Sequence, residues 1–232
     1  MPLDGAILGE GIYTPRQAAH LIGGSPQDIL RWTRGSGASE PIWKAHYQFL
    51  GDATEISFLD LMELRVVQAL RQRGVSLQTI RYAFALAQGK FGIERPLSSA
   101  AFKTDGVAIL MAAVEGDGEL VSLSRKHPGQ KVFSTIVHQS VSGLDYEGGL
   151  IARWRPVAAK HVVIDPKRAF GAPVLDAFGI STDVLYREWQ VGRDYRRVSR
   201  LYEIAEDFVR DAVRYEASLA QAEKVTLGQG SV

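Results

Sequence analysis

The chain has 232 residues, an apolar fraction of 46%, 27 basic and 26 acidic residues, and no cysteine. That length suits one large or two to three small domains, and the lack of cysteine excludes disulfides, thiolate metal sites and a thiol nucleophile while suiting a reducing cytoplasm. A formal net charge of +1 exerts no global pull toward nucleic acid, so a DNA-binding surface has to be a local patch; no stretch is long and apolar enough to span a membrane, and the opening residues lack the basic n-region of a signal peptide.

Two short helices are expected first. Thr14 N-caps one that begins at Pro15, and Ala18, Ala19, Leu21 and Ile22 form its apolar face. Gly23 and Gly24 stop it, because glycine enters the left-handed region at low cost. Ser25 and Pro26 start a second helix by the same cap-then-proline logic. It turns Ile29 and Trp32 inward and leaves Gln27, Asp28, Arg31 and Arg34 outward. Helices this short are unstable alone and must pack on something. A pair joined by a short glycine-containing turn is either a helix-turn-helix, whose second helix enters the major groove, or an ordinary helical hairpin.

In IWKAHYQFLG, Trp43, Ala45, Tyr47 and Phe49 alternate with Lys44, His46 and Gln48. That period of two predicts a strand or short hairpin placed where a wing would lie. Lys44 and His46 then either meet phosphates or form the solvated side of a strand. Two longer helices follow, over 57–73 behind Ser57, with Asp60 in the first turn, and over 76–88 behind Ser76. Residues 1–90 therefore read helix, helix, wing, helix, helix.

Residues 91–159 are expected to be β-rich. Asp105-Gly106 and Gly116-Asp117-Gly118 are tight-turn signals, and residues 107–114 and 119–124 between and beyond them read as strands of a small antiparallel meander. Val132, Phe133, Ile136, Val137 and Val141 fit a helix, and residues 150–155 return to alternation. Residues 160–218 form a third block: a short strand at HVVID, a loop with two prolines, and three helices begun by Ser181, by Asp194 and near Ala205. A polar tail, 219–232, is expected to be flexible. The fold class is α+β, mainly α.

No G-x-S-x-G, P-loop or G-x-G-x-x-G occurs, and His20, His46, His127, His138 and His161 lack metal-site spacing. Asp207 and Asp211 share a helix face but read as solvated charge rather than as a catalytic pair. The chain is therefore read as a non-enzyme that needs no metal or cofactor.

The segment YTPRQAAHLIGGSPQDILRW, followed at wing-sized separation by ISFLDLMELRVVQALRQRGVSLQTIRYAFALA, resembles the winged helix-turn-helix domain of MerR-type regulators. Leu30 and Thr33 depart from the family, which usually has a basic residue and an acid there. No long coiled-coil helix follows, so the family's dimer device and effector sensing do not carry over. IDPKRAFGAPVLDAFGISTDVLYREWQVGRDYRRVSRLY resembles a bacterial domain that recurs in antitoxins of the VapB class, partners of PIN-domain ribonucleases. Together these resemblances imply an antitoxin that binds operator DNA and neutralises a PIN-domain toxin, as a homodimer or as a hetero-oligomer with the toxin. The implied DNA-binding residues are Arg16, Ser25, Gln27, Arg31, Arg34, Lys44 and His46. The implied toxin-binding residues are Arg193, Arg196, Arg197 and Arg200. The alternatives are a stand-alone MerR-like regulator and an interaction module without DNA binding.

Overall fold

The computed structural model describes residues 9–37, 39–117 and 129–229. Among them the fold is mainly helical with two small antiparallel sheets. In chain order the elements are α1 (Pro15–Ile22), α2 (Pro26–Arg34), a 3-10 turn (His46–Leu50), α3 (Phe58–Gln72), α4 (Leu77–Phe91), α5 (Ala100–Asp117) and α6 (Gly129–Val141). There follow β1 (Leu144–Glu147), β2 (Leu150–Trp154), β3 (Val162–Val163), a 3-10 turn (Ala169–Gly171), β4 (Val174–Leu175), α7 (Thr182–Gly192), α8 (Tyr195–Tyr202) and α9 (Glu206–Gln229).

The caps form as the sequence implies. The Thr14 hydroxyl accepts from Gln17 N at 3.2 Å while Gln17 Oε1 accepts from Thr14 N at 2.9 Å, a reciprocal capping box. The Ser25 hydroxyl accepts from Asp28 N, Ser57 from Asp60 N and Ser76 from Thr79 N. Gly23 adopts φ 68° and its N–H closes α1 on Ala19 O. Asp194 accepts from the amides of Arg196 and Arg197 and so starts α8. Ser181 stands at the start of α7 without a side-chain cap bond.

Three expectations fail. No wing strand forms over 43–49. Trp43, Ala45 and Tyr47 are buried and Lys44 and His46 exposed, so the burial alternates as expected, but no neighbouring strand supplies a ladder. His46 N instead donates to Asp60 Oδ2 at 2.8 Å, and the chain coils into a 3-10 turn. Second, residues 107–114 are helical, within α5. Ile109, Leu110, Ala113 and Val114 are buried at helical spacing, and the run of Ala, Leu and Met favours helix strongly enough to carry Gly106 within it. Gly116 serves close approach rather than a turn: a Cβ there would collide with the Tyr82 ring of α4. Residues 119–124 of the expected meander lie outside the described residues, and the hairpin that does form is β1–β2, turning at Gly148-Gly149. Third, α9 continues to Gln229, through residues expected to be a polar tail. Residues 219–224, Leu-Ala-Gln-Ala-Glu-Lys, are all good helix formers.

One apolar cluster runs without interruption from α1 to α6 and on to Trp154 and Ile164. It joins Ala87 of α4 to Phe102, Leu110 and Ala113 of α5 across residue 90. A second cluster holds Leu175, Leu185, Val198, Ile204, Val209, Ala212 and Val213 together within α7–α9 and β4. The two halves meet where the AFGAPV turn packs on the N-terminal segment. Tyr13 donates its hydroxyl to Gly171 O at 2.9 Å, and Ile12 N donates to Phe170 O at 3.0 Å. Gly171 has φ +87°, and a Cβ there would collide with the Tyr13 hydroxyl. The glycine of that turn is therefore required both by its backbone conformation and by the approach of Tyr13.

Candidate nucleic-acid and partner interfaces

The α1–α2 hairpin is held on α3 by buried Ala18, Ala19, Ile29 and Trp32 and by Gln68, whose side-chain amide donates to Gly23 O at 2.8 Å. Arg16 on the first turn of α1 and Gln27 on the first turn of α2 are exposed. The Ser25 hydroxyl is occupied by its cap, also donating to Asp28 Oδ2 at 2.9 Å. Arg31 is half-exposed and forms an i,i+3 ion pair with Asp28. Arg34 reaches away from the helix and donates to the carbonyls of Asp52 and Ala53, tying α2 to the loop before α3.

Lys44 and His46 are exposed, and the segment that carries them is set by a buried carboxylate. Asp60, with no exposed surface, accepts from Trp43 Nε1 at 2.8 Å, His46 N at 2.8 Å, Ser57 Oγ at 3.0 Å and Arg95 Nε at 2.8 Å. Arg95 in turn donates to Lys44 O at 2.9 Å. The Trp43 ring stacks on Phe84 of α4. Asp60 was visible in the sequence only as a first-turn acid, and Arg95, 35 positions away, carries no periodic signal. Next to this pair, Glu63 is wholly buried and accepts from Leu97 N at 3.1 Å and Ser98 N at 2.7 Å. Burial pushes its carboxyl up to about 7, against the pull of those hydrogen bonds and of Arg95.

The four C-terminal arginines stand in different surroundings. Arg193 ends α7 at φ 54° with its guanidinium 4.8 Å over the Trp189 ring. Arg197 donates to Glu188 O at 2.6 Å and Glu188 Oε2 at 3.1 Å, fastening α8 to α7. Arg196, 83% exposed, lies 3.3 Å from Glu206. Arg200 is exposed and makes no ion pair among the described residues. The same unit exposes Val191 (81%) and Leu201 (55%). Apolar and cationic surface therefore occur together on α7–α8.

The acids of α9 differ from expectation. Asp207 is exposed, but Asp211 is buried and accepts from His161 N at 2.8 Å, with His161 Nδ1 at 3.3 Å, where α9 packs against the turn just before β3. His161 also lies against the Phe208 ring. His20 is half-buried, His138 is exposed on the last turn of α6, and His127 lies outside the described residues. Among the described residues no three His, Cys, Asp or Glu side chains gather as a metal site, and no helix is long and apolar enough to cross a membrane.

No protein-family model matches the chain. It is 28% identical over 221 residues to a Mycobacterium tuberculosis (strain ATCC 25618 / H37Rv) protein named "Putative antitoxin VapB45"; the match covers 87% of this chain and 92% of that protein. Its fold is similar to the crystal structure of Rv2018 from Mycobacterium tuberculosis, with a TM-score of 0.67 and 23% identity, over 87% of this chain and 96% of the other.

Proposed function

We propose that this chain is the antitoxin of a type II toxin–antitoxin pair. It is a cytoplasmic, non-enzymatic, cofactor-free protein that binds operator DNA as a MerR-like winged helix-turn-helix and neutralises a PIN-domain ribonuclease, as a homodimer or as a hetero-oligomer with the toxin. The observation that carries this reading is the similarity, over 87% of the chain, to the protein named "Putative antitoxin VapB45". The two capped helices of the N-terminal hairpin and the arginine-bearing surface of α7–α8 support the division of labour. Co-expression with the adjacent open reading frame tests it: the partner should co-purify, and growth arrested by that partner alone should be restored. A neighbouring product that neither binds nor arrests growth would leave the antitoxin reading without support.

On the DNA side, Arg16, Gln27 and Arg31 are the candidate contacts, with Lys44 and His46 on the 3-10 segment in place of a wing. Arg34 acts by holding the loop at 52–53. An Arg16→Ala/Arg31→Ala variant should bind upstream DNA more weakly, and its salt slope should fall by about one for each phosphate left without its arginine. Fluorescence anisotropy across a salt series reads both quantities. An unchanged slope would remove these arginines from the interface. The pairing of Arg31 with Asp28 and the tethering of Arg34 favour a second reading, an interaction module without DNA binding. That reading predicts no shift of upstream DNA even at low salt.

On the toxin side the arginines should not be equivalent. Arg200→Ala, which breaks no ion pair within the described residues, should weaken toxin binding by about 2 kcal/mol if Arg200 is an interface hot spot. Arg197→Ala should instead lower the melting temperature, since it releases α8 from Glu188. Toxin affinity and thermal melts of the two variants separate these effects. Equal toxin affinity in Arg200→Ala and the parent would move the contact elsewhere.

A further inference from the structure

Position 170 holds a side chain that does not suit its own backbone. Phe170 has φ 53° and ψ 26°, between Ala169 at φ 46° and Gly171 at φ +87°. A bulky residue in the left-handed region is strained, whereas glycine or asparagine fits there at less cost. The ring gains no burial in return, since Phe170 is 61% exposed. The backbone around it is nonetheless firmly held. Phe170 O accepts from Ile12 N at 3.0 Å, and Gly171 O accepts from the Tyr13 hydroxyl at 2.9 Å. Just before the turn, Arg168 donates to Asp176 Oδ1 at 2.7 Å and to Asp176 O at 2.8 Å. Phe170 is therefore a fixed apolar knob standing in water, and strained residues that their surroundings hold in place belong to sites that grip something.

The same chain carries a hole of matching character. A cavity of about 500 Å³ opens among α1, α3, α6, β2, the loop at 156–158 and α9, and its accessible wall is almost wholly apolar, with Leu21, Trp154, Pro156, Val157 and Leu219 among its residues. A void of that size and lining accepts an aromatic ring. Val157 is 76% exposed there, apolar surface that a single copy leaves in water. Two short connections fix the knob relative to the hole. Trp154 and Ile164 exchange backbone hydrogen bonds at 2.9 and 2.8 Å, so the segment leading to the Phe170 turn starts at the cavity wall. Tyr13, which holds Gly171, stands just before α1, whose Leu21 lines the cavity.

We propose that this chain self-associates by reciprocal insertion. The Phe170 ring of one copy enters the cavity of a second, against Leu21, Trp154 and Val157, and the partner's Phe170 returns the contact. A two-fold pair of copies fills both knob and hole at once and closes on itself. A foreign partner that covered the knob would leave the hole empty. This is the interface of a homodimer, and it stands independently of the antitoxin reading.

Sedimentation velocity of the purified full chain, without toxin or DNA, tests the proposal. The parent should form dimers with a dissociation constant on the order of 1–10 μM, as a small apolar interface allows. Phe170→Asn removes the ring and suits the left-handed backbone, so it should fold as well as the parent and weaken dimerisation at least about tenfold. Val157→Glu, at an exposed position, puts a carboxylate where the ring lands and should weaken it similarly. Mixed in equal amounts, the two variants should form dimers that neither forms alone, because the ring of the Val157→Glu chain meets the unaltered cavity of the Phe170→Asn chain. The proposal is overturned if the parent stays monomeric up to about 100 μM, well above that range. It is also overturned if either folded variant dimerises like the parent, or if the mixture associates no better than its components. A Phe170→Asn chain that keeps its dimer but loses the toxin would assign the knob to the toxin and overturn it too.

Discussion

Replacing Asp60 by alanine should destabilise the protein by about 3–5 kcal/mol, the cost of leaving a buried charge without its partner. Arg95, 7% exposed in its side chain, would lose the carboxylate at 2.8 Å and keep only that of exposed Glu94, at 2.9 Å. The same change removes the acceptor for Trp43 Nε1, for His46 N and for the Ser57 amide and hydroxyl. The cap of α3 and the path of residues 43–46 therefore depend on one side chain. Urea unfolding followed by tryptophan fluorescence reads the loss, and Trp43 itself reports the local change. A second variant, Asp60→Ala with Arg95→Leu, should recover part of the stability, because it removes the buried charge that has lost its buried partner. A loss below about 1 kcal/mol for the single variant, within the ordinary range of point substitutions, would show that the pair is not the clasp described. If residues 43–46 meet DNA, the consequence should extend there, since Lys44 and His46 stand on the segment that Asp60 holds.

A second large effect should appear with pH. Glu63 rises from an ordinary 4.5 to about 7 in the folded chain because burial penalises its charge. Between those values the folded state binds more protons than the unfolded one, so stability from this group is full below pH 4.5, falls as pH rises toward 7, and is level above it. At about 1.4 kcal/mol per unit the whole change amounts to roughly 3 kcal/mol. Burial also raises Glu216, which adds a contribution of the same sign. Glu63→Gln is neutral throughout and should remove its part of the slope. It should also cost stability at low pH, because its NH2 must face either the Leu97 or the Ser98 amide. Unfolding free energies of parent and variant, measured in steps from about pH 4 to pH 8 to bracket that window, decide the matter. Parallel profiles would mean that Glu63 does not titrate in this window.

The likeness to the protein named "Putative antitoxin VapB45" covers 87% of the chain, whereas the proposed roles concern individual side chains. The structure separates these more sharply than the charge pattern does. Arg34 and Arg197 both belong to sequence clusters that suggest binding, and both are engaged in holding their own backbone. Arg31 is partly engaged, by Asp28. Arg200 remains without an ion pair among the described residues. A row of like charges in the sequence therefore contains members with different work, and alanine replacement at each position will not give uniform results.

By itself the sequence determined the helices whose start signals act locally. Thr14, Ser25, Ser57, Ser76 and Asp194 each cap within three residues of their own position, so the information needed to place them is contiguous. The helix over 129–141 is legible for the same reason, from its own apolar spacing. Tertiary structure alone decided the segments whose pattern is a record of burial rather than of backbone shape. Alternation in Trp43, Ala45 and Tyr47 states which side chains face the core, but a strand exists only if a partner strand answers it, and Asp60 took the amide instead. The turn signal at Asp105-Gly106 was outweighed by its helix-forming neighbours and by packing of α5 on α4. The pairing of Asp60 with Arg95 and the seat of Tyr13 on Gly171, 158 residues away, join residues that no local window contains.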